Sequence, residues 1–483
     1  MQIQTPDWVK HAVFYQIFPD SFARSRQSRP WLAKPTKLEA WDAPPTFQGY
    51  KGGDLWGIVE KLDYLQDLGI NALYLTPIFQ SASNHRYHTH DYYQVDPMLG
   101  GNEALQDLLE AAHQREMKVV LDGVFNHASR GFFFFNDILE NGSNSPWLDW
   151  FKIKKWPLAP YNGDLPANYD SWADYRALPE FNHENPGSRE YIMRVAEHWI
   201  QQGIDGWRLD VADCIKVPGF WQEFRDRVKA LNPDAYIVGE VWRDAGQWLD
   251  GSQFDGVMNY EFGGPTIAFT AGDRVDLNCI QGHDYDPSPA LDAPSYAKRM
   301  ERLLGLYADE IQQTQLNLLE SHDTSRMLTL ASGDAESVEL ATLLMLTFPG
   351  APNIYYGTEV GLPGGLDPDC RRGFPSSDRW DRRVLDYHRQ LIALRHSHPA
   401  LRTGDYRILF ADELLYAFAR VLGDEEIVVA VNAGPMESVV DLQLEEQGLR
   451  SHPSQVLYGD GAATWKEGHL VLHIPARSGL VVG

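Results

Sequence analysis

Short apolar runs alternate along the chain with stretches whose apolar positions recur every three or four residues. That alternation predicts buried strands separated by amphipathic helices. The first run is AVFYQIFP, 12–19, and the second NALYLTP, 71–77. Between them, residues 54–69 put Leu55, Ile58, Val59, Leu62 and Leu65 on one helical face, with Asp54 as cap and Gly69 as stop. A second helical stretch, capped by Asn102, leads into KVVLDGVFNH, 118–127. Asn185 and Pro186 open a third helix whose buried face is Ile192, Val195, Ala196 and Trp199. It feeds the strand GWRLDVAD, 206–213, and further runs at 235–241, 254–260, 315–322 and 353–359 bring the strands to eight.

Eight strands, most of them separated by helices, predict an α/β fold, the (β/α)8 TIM barrel, enlarged beyond its usual ~250 residues by insertions. One insertion, about 128–184, follows the third strand and shows no sustained periodicity; a more helical one, about 262–311, precedes the seventh. Past Pro399 short alternating segments such as ELLYAFARV and HLVLHIP predict a C-terminal antiparallel β-sandwich. The expected division is barrel 1–124, inserted B domain 125–184, barrel remainder 185–398 and sandwich 399–483.

Composition narrows the function. The 483 residues are 43% apolar and 23% charged, as in a globular protein, and 67 acidic against 42 basic residues leave a net charge of −25. A surface this acidic excludes nucleic acid and anionic membrane as partners and suits a neutral substrate. Neither a signal peptide nor an apolar run of membrane-spanning length is present in the sequence. The three dispersed cysteines, Cys214, Cys279 and Cys370, fit a reducing cytoplasm.

Chemistry gathers where the fold predicts it, at the carboxyl ends of the strands. The third strand ends in Asp122, Asn126 and His127, the fourth in Arg208 and Asp210, the fifth in Glu240, and the seventh in Glu320, His322 and Asp323. Arg208 and Asp210 leave the fourth strand on one face. A guanidinium so placed is expected to lower the Asp210 pKa and keep it ionised as a nucleophile. Glu240 lies among Gly239, Val241 and Trp242, an apolar sequence setting that suits a proton carrier. Carboxylates facing a neutral substrate, without a serine or cysteine nucleophile arrangement, point to glycosidic bond cleavage. Aromatics support a carbohydrate: 14 of the 57 residues from Phe125 to Phe181 are Phe, Tyr or Trp, double the 12% average. Phe132 to Phe135 with Trp147, Trp150 and Trp156 are expected to form one wall of a sugar cleft.

DGVFNH (122–127), GWRLDVAD (206–213), VGEVW (238–242) and LESHD (319–323), in that order, resemble the four signature segments of the α-amylase family of retaining α-glucan enzymes. LPEFN (178–182) and NHRYHTHDYYQVDPMLGG (84–101) are most similar to the neopullulanase, cyclomaltodextrinase and maltogenic amylase subfamily. The resemblance implies that Asp210 is the nucleophile, Glu240 the acid and then the base, and Asp323 the carboxylate that binds the 2- and 3-hydroxyls. It implies sugar contacts for His127 and His322, stacking for Tyr87 with His85 close by, leaving-group contacts for Trp242, and Asp122 holding Arg208 from behind. Asp20, Asp54 and Asp91 are taken as structural.

Three departures matter. Members of the subfamily begin with an additional β-domain, whereas this chain starts near the first barrel strand. A more open cleft is expected, and any homodimer would use another surface, for which 262–311 is the candidate. The family's KYDT is here RYHT, so His88 replaces the aspartate behind Tyr87. The loop PDSFARSRQSRP, 19–30, lacks the Asn- and Asp-rich calcium pattern, with only Gly53 and Asp54 matching the other half, so no essential metal and no cofactor are expected. The sequence therefore reads as an α-glucan hydrolase acting on α-1,4 or α-1,6 bonds of maltooligosaccharides, cyclodextrins or branched dextrins, with or without transglycosylation. A debranching enzyme, an exo-acting α-glucosidase and a non-catalytic sugar-binding member are the alternatives.

Overall fold

The computed structural model describes residues 3–26, 37–161, 167–280 and 287–483. All eight expected strands form: β1 (Phe14–Ile17), β2 (Ala72–Leu75), β3 (Lys118–Gly123), β4 (Gly206–Leu209), β5 (Tyr236–Gly239), β6 (Gly256–Asn259), β7 (Leu316–Leu318) and β8 (Ala351–Tyr355). They pair in parallel with their sequence neighbours, and β8 closes onto β1. Every residue of these strands except Lys118 is buried, because helices cover one face and packed side chains fill the other. This is why the strands appear as continuous apolar runs. Register then sets chemistry: Asp122 on β3 pairs with Arg208 on β4. At Gly206 a Cβ would lie 2.3 Å from the Tyr236 carbonyl oxygen, so the approach of β4 to β5 requires glycine.

Helices depart from expectation in two places. Asp54 caps as expected, accepting from Gly57 N at 2.8 Å, and Gly69 ends the segment at φ 94°. The segment is nevertheless two helices, Leu55–Val59 and Leu62–Leu68, because a tight turn with Lys61 N bonded to the Ile58 carbonyl separates them. Asn102 is not a cap. The helix Gly101–His113 begins before it, and its side chain accepts from Val95 N at 2.8 Å, tying the helix to the strand Thr89–Val95.

The insertion after β3 contains a helix, Phe133–Asn141, that its sequence pattern concealed. Phe134 stacks on Trp147 at 4.0 Å, and Phe132, Phe134 and Trp150 pack around Tyr191. Phe132, Phe134, Trp147 and Trp150 thus pack together and onto Tyr191 of the following helix, whereas Phe133 and Trp156 of the expected wall are exposed, at 70% and 41%. Bridges from His127 to Glu180 and from Phe151 to Phe181 fasten the segment's end to its start.

The C-terminal strands are β9 (Asp405–Asp412), β10 (Leu415–Leu422), β11 (Glu425–Asn432), β12 (Ser438–Leu442), β13 (Val456–Tyr458), β14 (Ala462–Lys466), β15 (His469–Ile474) and β16 (Ser478–Val482). They make two sheets, ordered β9-β10-β11-β16-β13 and β12-β15-β14. Ala417, Ala419, Val428, Val440, Leu442 and Leu470 are buried between them. Among the described residues, no helix is long and apolar enough to cross a membrane.

Candidate active site

The ladder continues one residue past the strands: Asp210 N bonds to the Gly123 carbonyl at 3.1 Å and Glu240 N to the Leu209 carbonyl at 2.9 Å. Immediately afterwards Val211 turns left-handed, at φ 40° and ψ 47°. A β-branched residue adopts that conformation only where its surroundings impose it. The turn gives Val211 N a bond to Glu240 Oε2 at 2.8 Å, so the backbone that ends the Asp210 strand also holds Glu240.

One guanidinium organises the carboxylates. Arg208, fully buried, places Nη1 3.0 Å from both Asp122 oxygens and 3.1 Å from Asp210 Oδ1, and Nη2 3.1 Å from Glu240 Oε1. A single positive charge therefore faces three acids away from water. Burial, reinforced by the neighbouring Glu240 charge, raises the Asp210 pKa well above the carboxylate range, although Arg208 opposes it. This reverses the lowering expected from Arg208 alone, since the expectation counted one partner and the structure gives that partner to three carboxylates. Asp122 is pushed up to about 6 by the same burial. The Glu240 carboxylate is also less apolar in its setting than its sequence neighbours implied. It meets Val211 N, Arg208 and Trp242 Nε1, the last at 3.0 Å.

On the facing side, His322 Nε2 lies 3.1 Å from Asp323 Oδ2 and meets the Tyr87 hydroxyl. Tyr87 stacks parallel to His322 at 5.5 Å and donates to Asp122 Oδ2 at 3.0 Å. Tyr87 is thus fixed by Asp122 and His322, and the substitution at His88 does not release it. His88 instead sets its ring edge-on to His85 at 5.0 Å, and His85 accepts from Tyr87 N through Nδ1 at 3.2 Å. Burial holds His127 at about 3 and His88 at about 4, and keeps His85 and His322 well below the usual imidazole range, so these rings are neutral.

The structure therefore brings Asp122, Arg208, Asp210, Glu240, Trp242, Tyr87, His85, His322 and Asp323 into one connected constellation. His127 sits buried at the end of β3 with its ring on Trp172 at 5.6 Å. Glu320 turns away to Arg326 and to Met327 N, inside the protein. Two neighbours escaped the sequence reading. Arg371, in the loop after β8, donates to the His322 carbonyl at 2.9 Å and stands 3.4 Å from Asp323 Oδ1. Trp172 was lost among the many aromatics of its insertion, although it is the one that reaches His127. Asp367, which pairs with Arg371 at 3.0 Å, was a legible signal that this loop carries polar chemistry.

The half-match to a calcium site does not fit a cation. Asp54 already receives Gly57 N, Ser25 N and Ser25 Oγ at 2.8, 3.3 and 2.9 Å, and the nearby Lys51 carbonyl is taken by Arg24 Nε at 2.7 Å. Residues 27–30 of that loop lie outside the described residues. Among the described residues no group of three or more His, Cys, Asp or Glu side chains could hold a metal ion.

Comparison with known proteins shows the family. The alpha amylase catalytic domain family matches residues 16–367, and the alpha-amylase C-terminal domain family matches 404–482. Neopullulanase 2 of Thermoactinomyces vulgaris is 40% identical over 484 aligned residues, covering 99% of this chain and 78% of that protein. The native crystal structure of a debranching enzyme from Nostoc punctiforme is 66% identical with a TM-score of 0.94, covering all of both chains. A ligand-free cyclic α-maltosyl-(1→6)-maltose hydrolase from Arthrobacter globiformis is 35% identical with a TM-score of 0.87, over 99% of this chain and 100% of that one. The chain belongs to the α-amylase family of glycoside hydrolases.

Proposed function

We propose that this α-glucan hydrolase works by double displacement and that its preferred bond is the α-1,6 branch point of a dextrin. The observation that carries the mechanism is the single buried Arg208 guanidinium spanning Asp210 and Glu240, with Asp323 opposite. In the first step the proton sits on Glu240, which removes the neighbouring charge that raises Asp210. The Asp210 carboxylate attacks the anomeric carbon, the glycosidic C–O bond breaks, and Glu240 gives that proton to the departing oxygen. In the second, Glu240 takes a proton from water, or from another sugar hydroxyl, whose oxygen displaces Asp210. Asp323 and His322 hold the 2- and 3-hydroxyls, Tyr87 stacks beneath the ring, and Trp242 lines the leaving-group side, where its indole is braced on Tyr260 at 3.8 Å. His127 and His85 complete the sugar contacts.

The bond preference is supported by likeness along the whole chain to a debranching enzyme at 66% identity. We infer that barrel 1–124 and 185–398 carries the acids, 125–184 shapes the cleft, and 399–483 is a separate sandwich. We place the protein in the cytoplasm, where three free cysteines persist. Any homodimer would pair through 262–311, of which 281–286 lie outside the described residues.

The deciding experiment compares kcat/KM for linear maltooctaose with that for the same chain carried as an α-1,6 branch, with products separated by chromatography. Release of the branch intact, with slow cutting of the linear chain, is expected. Rapid conversion of the linear chain to maltose or glucose would instead favour the neopullulanase-like reading, in which α-1,4 bonds are the main substrate.

A further inference from the structure

Outside the acidic cluster, a second buried polar chain runs across the barrel to His322. Asn353 on β8 donates Nδ2–H to Gln16 Oε1 on β1 at 3.1 Å, and Gln16 Nε2 lies 2.8 Å from His322 Nδ1. Gln16 and His322 are fully buried and Asn353 nearly so. Gln16 stands in the apolar run FYQIF, where a polar side chain at 0% exposure needs a partner on each polar atom.

The protons on this chain follow from what each atom faces. Tyr87 spends its hydrogen on Asp122, so toward His322 it offers only a lone pair. Asp323 Oδ2, 3.1 Å from the same Nε2, also offers only lone pairs. Nε2 must therefore carry a hydrogen. The ring is neutral, because burial and the Arg208 and Arg371 charges hold it far below its usual range. A neutral imidazole with hydrogen on Nε2 leaves a bare lone pair on Nδ1, and only a donor can satisfy it. Reversing the Gln16 amide would set its oxygen against that lone pair.

We propose that Gln16 is a positioning residue that fixes His322 in its Nε2–H tautomer, so that the nitrogen turned toward Tyr87, Asp323 and the sugar presents a donor. The opposite tautomer would put a lone pair against the Asp323 carboxylate and lose the donor to the sugar hydroxyl held there. The role at the sugar rests on the proposed assignment of His322 and Asp323 to the cleavage subsite; the tautomer does not.

Nitrogen-15 NMR of histidine-labelled protein tests it, with the His322 signals assigned by difference from His322→Gln. The wild type is expected to show a protonated Nε2 and an unprotonated Nδ1. In Gln16→Met the signature should become a mixture, and kcat on the branched dextrin should fall about tenfold, the weight of one buried hydrogen bond. In Gln16→Glu both ring nitrogens should be protonated, and kcat should return most of the way, since Nε2–H is restored. A wild-type ring protonated on Nδ1 overturns the proposal, as does a Gln16→Met ring that keeps the wild-type signature. The wild-type spectrum decides the tautomer even if Gln16→Met fails to fold. Expected spectra with unchanged kcat in Gln16→Met would remove His322 from the reacting sugar, and with it the positioning role.

Discussion

Arg208 faces Asp122, Asp210 and Glu240 with one charge, and the imbalance has measurable consequences. Asp122, pushed up to about 6, binds its proton more tightly folded than unfolded. The folded state is therefore penalised progressively as pH rises from the ordinary carboxylate range near 4 through about 6, and the penalty is complete above that. Asp122→Asn carries no such proton. Its melting temperature relative to wild type should climb between pH 4 and 6 and then level off, in thermal unfolding run across pH 4 to 8. A difference that ignores pH would mean that Asp122 is ionised throughout. For Asp210, replacement by Asn keeps the shape and removes the attacking oxygen. Turnover should drop by about a thousandfold or more while maltooligosaccharide still binds, as measured by steady-state kinetics and calorimetric titration. Substantial residual turnover would remove Asp210 from the nucleophile's role.

Between residue and domain, the telling elements are those where the chain turns. Val211, left-handed at φ 40°, is a conformation glycine adopts freely. Val211→Gly should change stability by less than about 1 kcal/mol, since released strain offsets the entropy glycine adds. It should lower kcat, because the turn that holds Glu240 through Val211 N loosens; urea titration and kinetics read the two effects separately. In the loop after β1, Arg24 and Ser25 occupy the oxygens near Asp54. EDTA should leave melting temperature and activity unchanged, while Arg24→Ala should lower the melting temperature whether or not calcium is present. The strands were legible because burial on both faces makes each a continuous apolar run, and the strand-end acids because a polar group there interrupts that run. Turn geometry was not. Nothing in LDVAD announces a left-handed valine, nothing in WGIVEKLDY marks a broken helix, and Arg371 joins a site whose other members lie far away in sequence. Gln16 did leave a signal, a lone amide within an apolar strand, whose meaning needed β8 beside it.

At the scale of the molecule, the barrel and the sandwich are joined through two buried arginines whose partners are carbonyl oxygens. Arg420 on β10 donates to the Leu401 and Gly404 carbonyls at 2.8 and 2.9 Å, and to the Thr347 carbonyl at the end of the helix Ala335–Thr347. Arg395, on the helix Arg382–Ser397, donates to the Leu346, Leu401 and Gly350 carbonyls. Positive charge at helix carboxyl ends is favourable, and the Leu401 carbonyl receives both arginines. Because Arg420 belongs to the sandwich and Thr347 to the barrel, the two parts should unfold together. Wild-type protein should therefore give one calorimetric transition. Arg420→Met keeps much of the side chain's bulk and strands the Thr347 and Gly404 carbonyls, while the Leu401 carbonyl keeps Arg395 as donor, a loss of about 2 to 5 kcal/mol. The sandwich should then melt first as a separate transition while the barrel, with its acids untouched, keeps its activity below that temperature. A single transition at the wild-type temperature in Arg420→Met would show that apolar packing at the junction, not the arginine, carries the coupling.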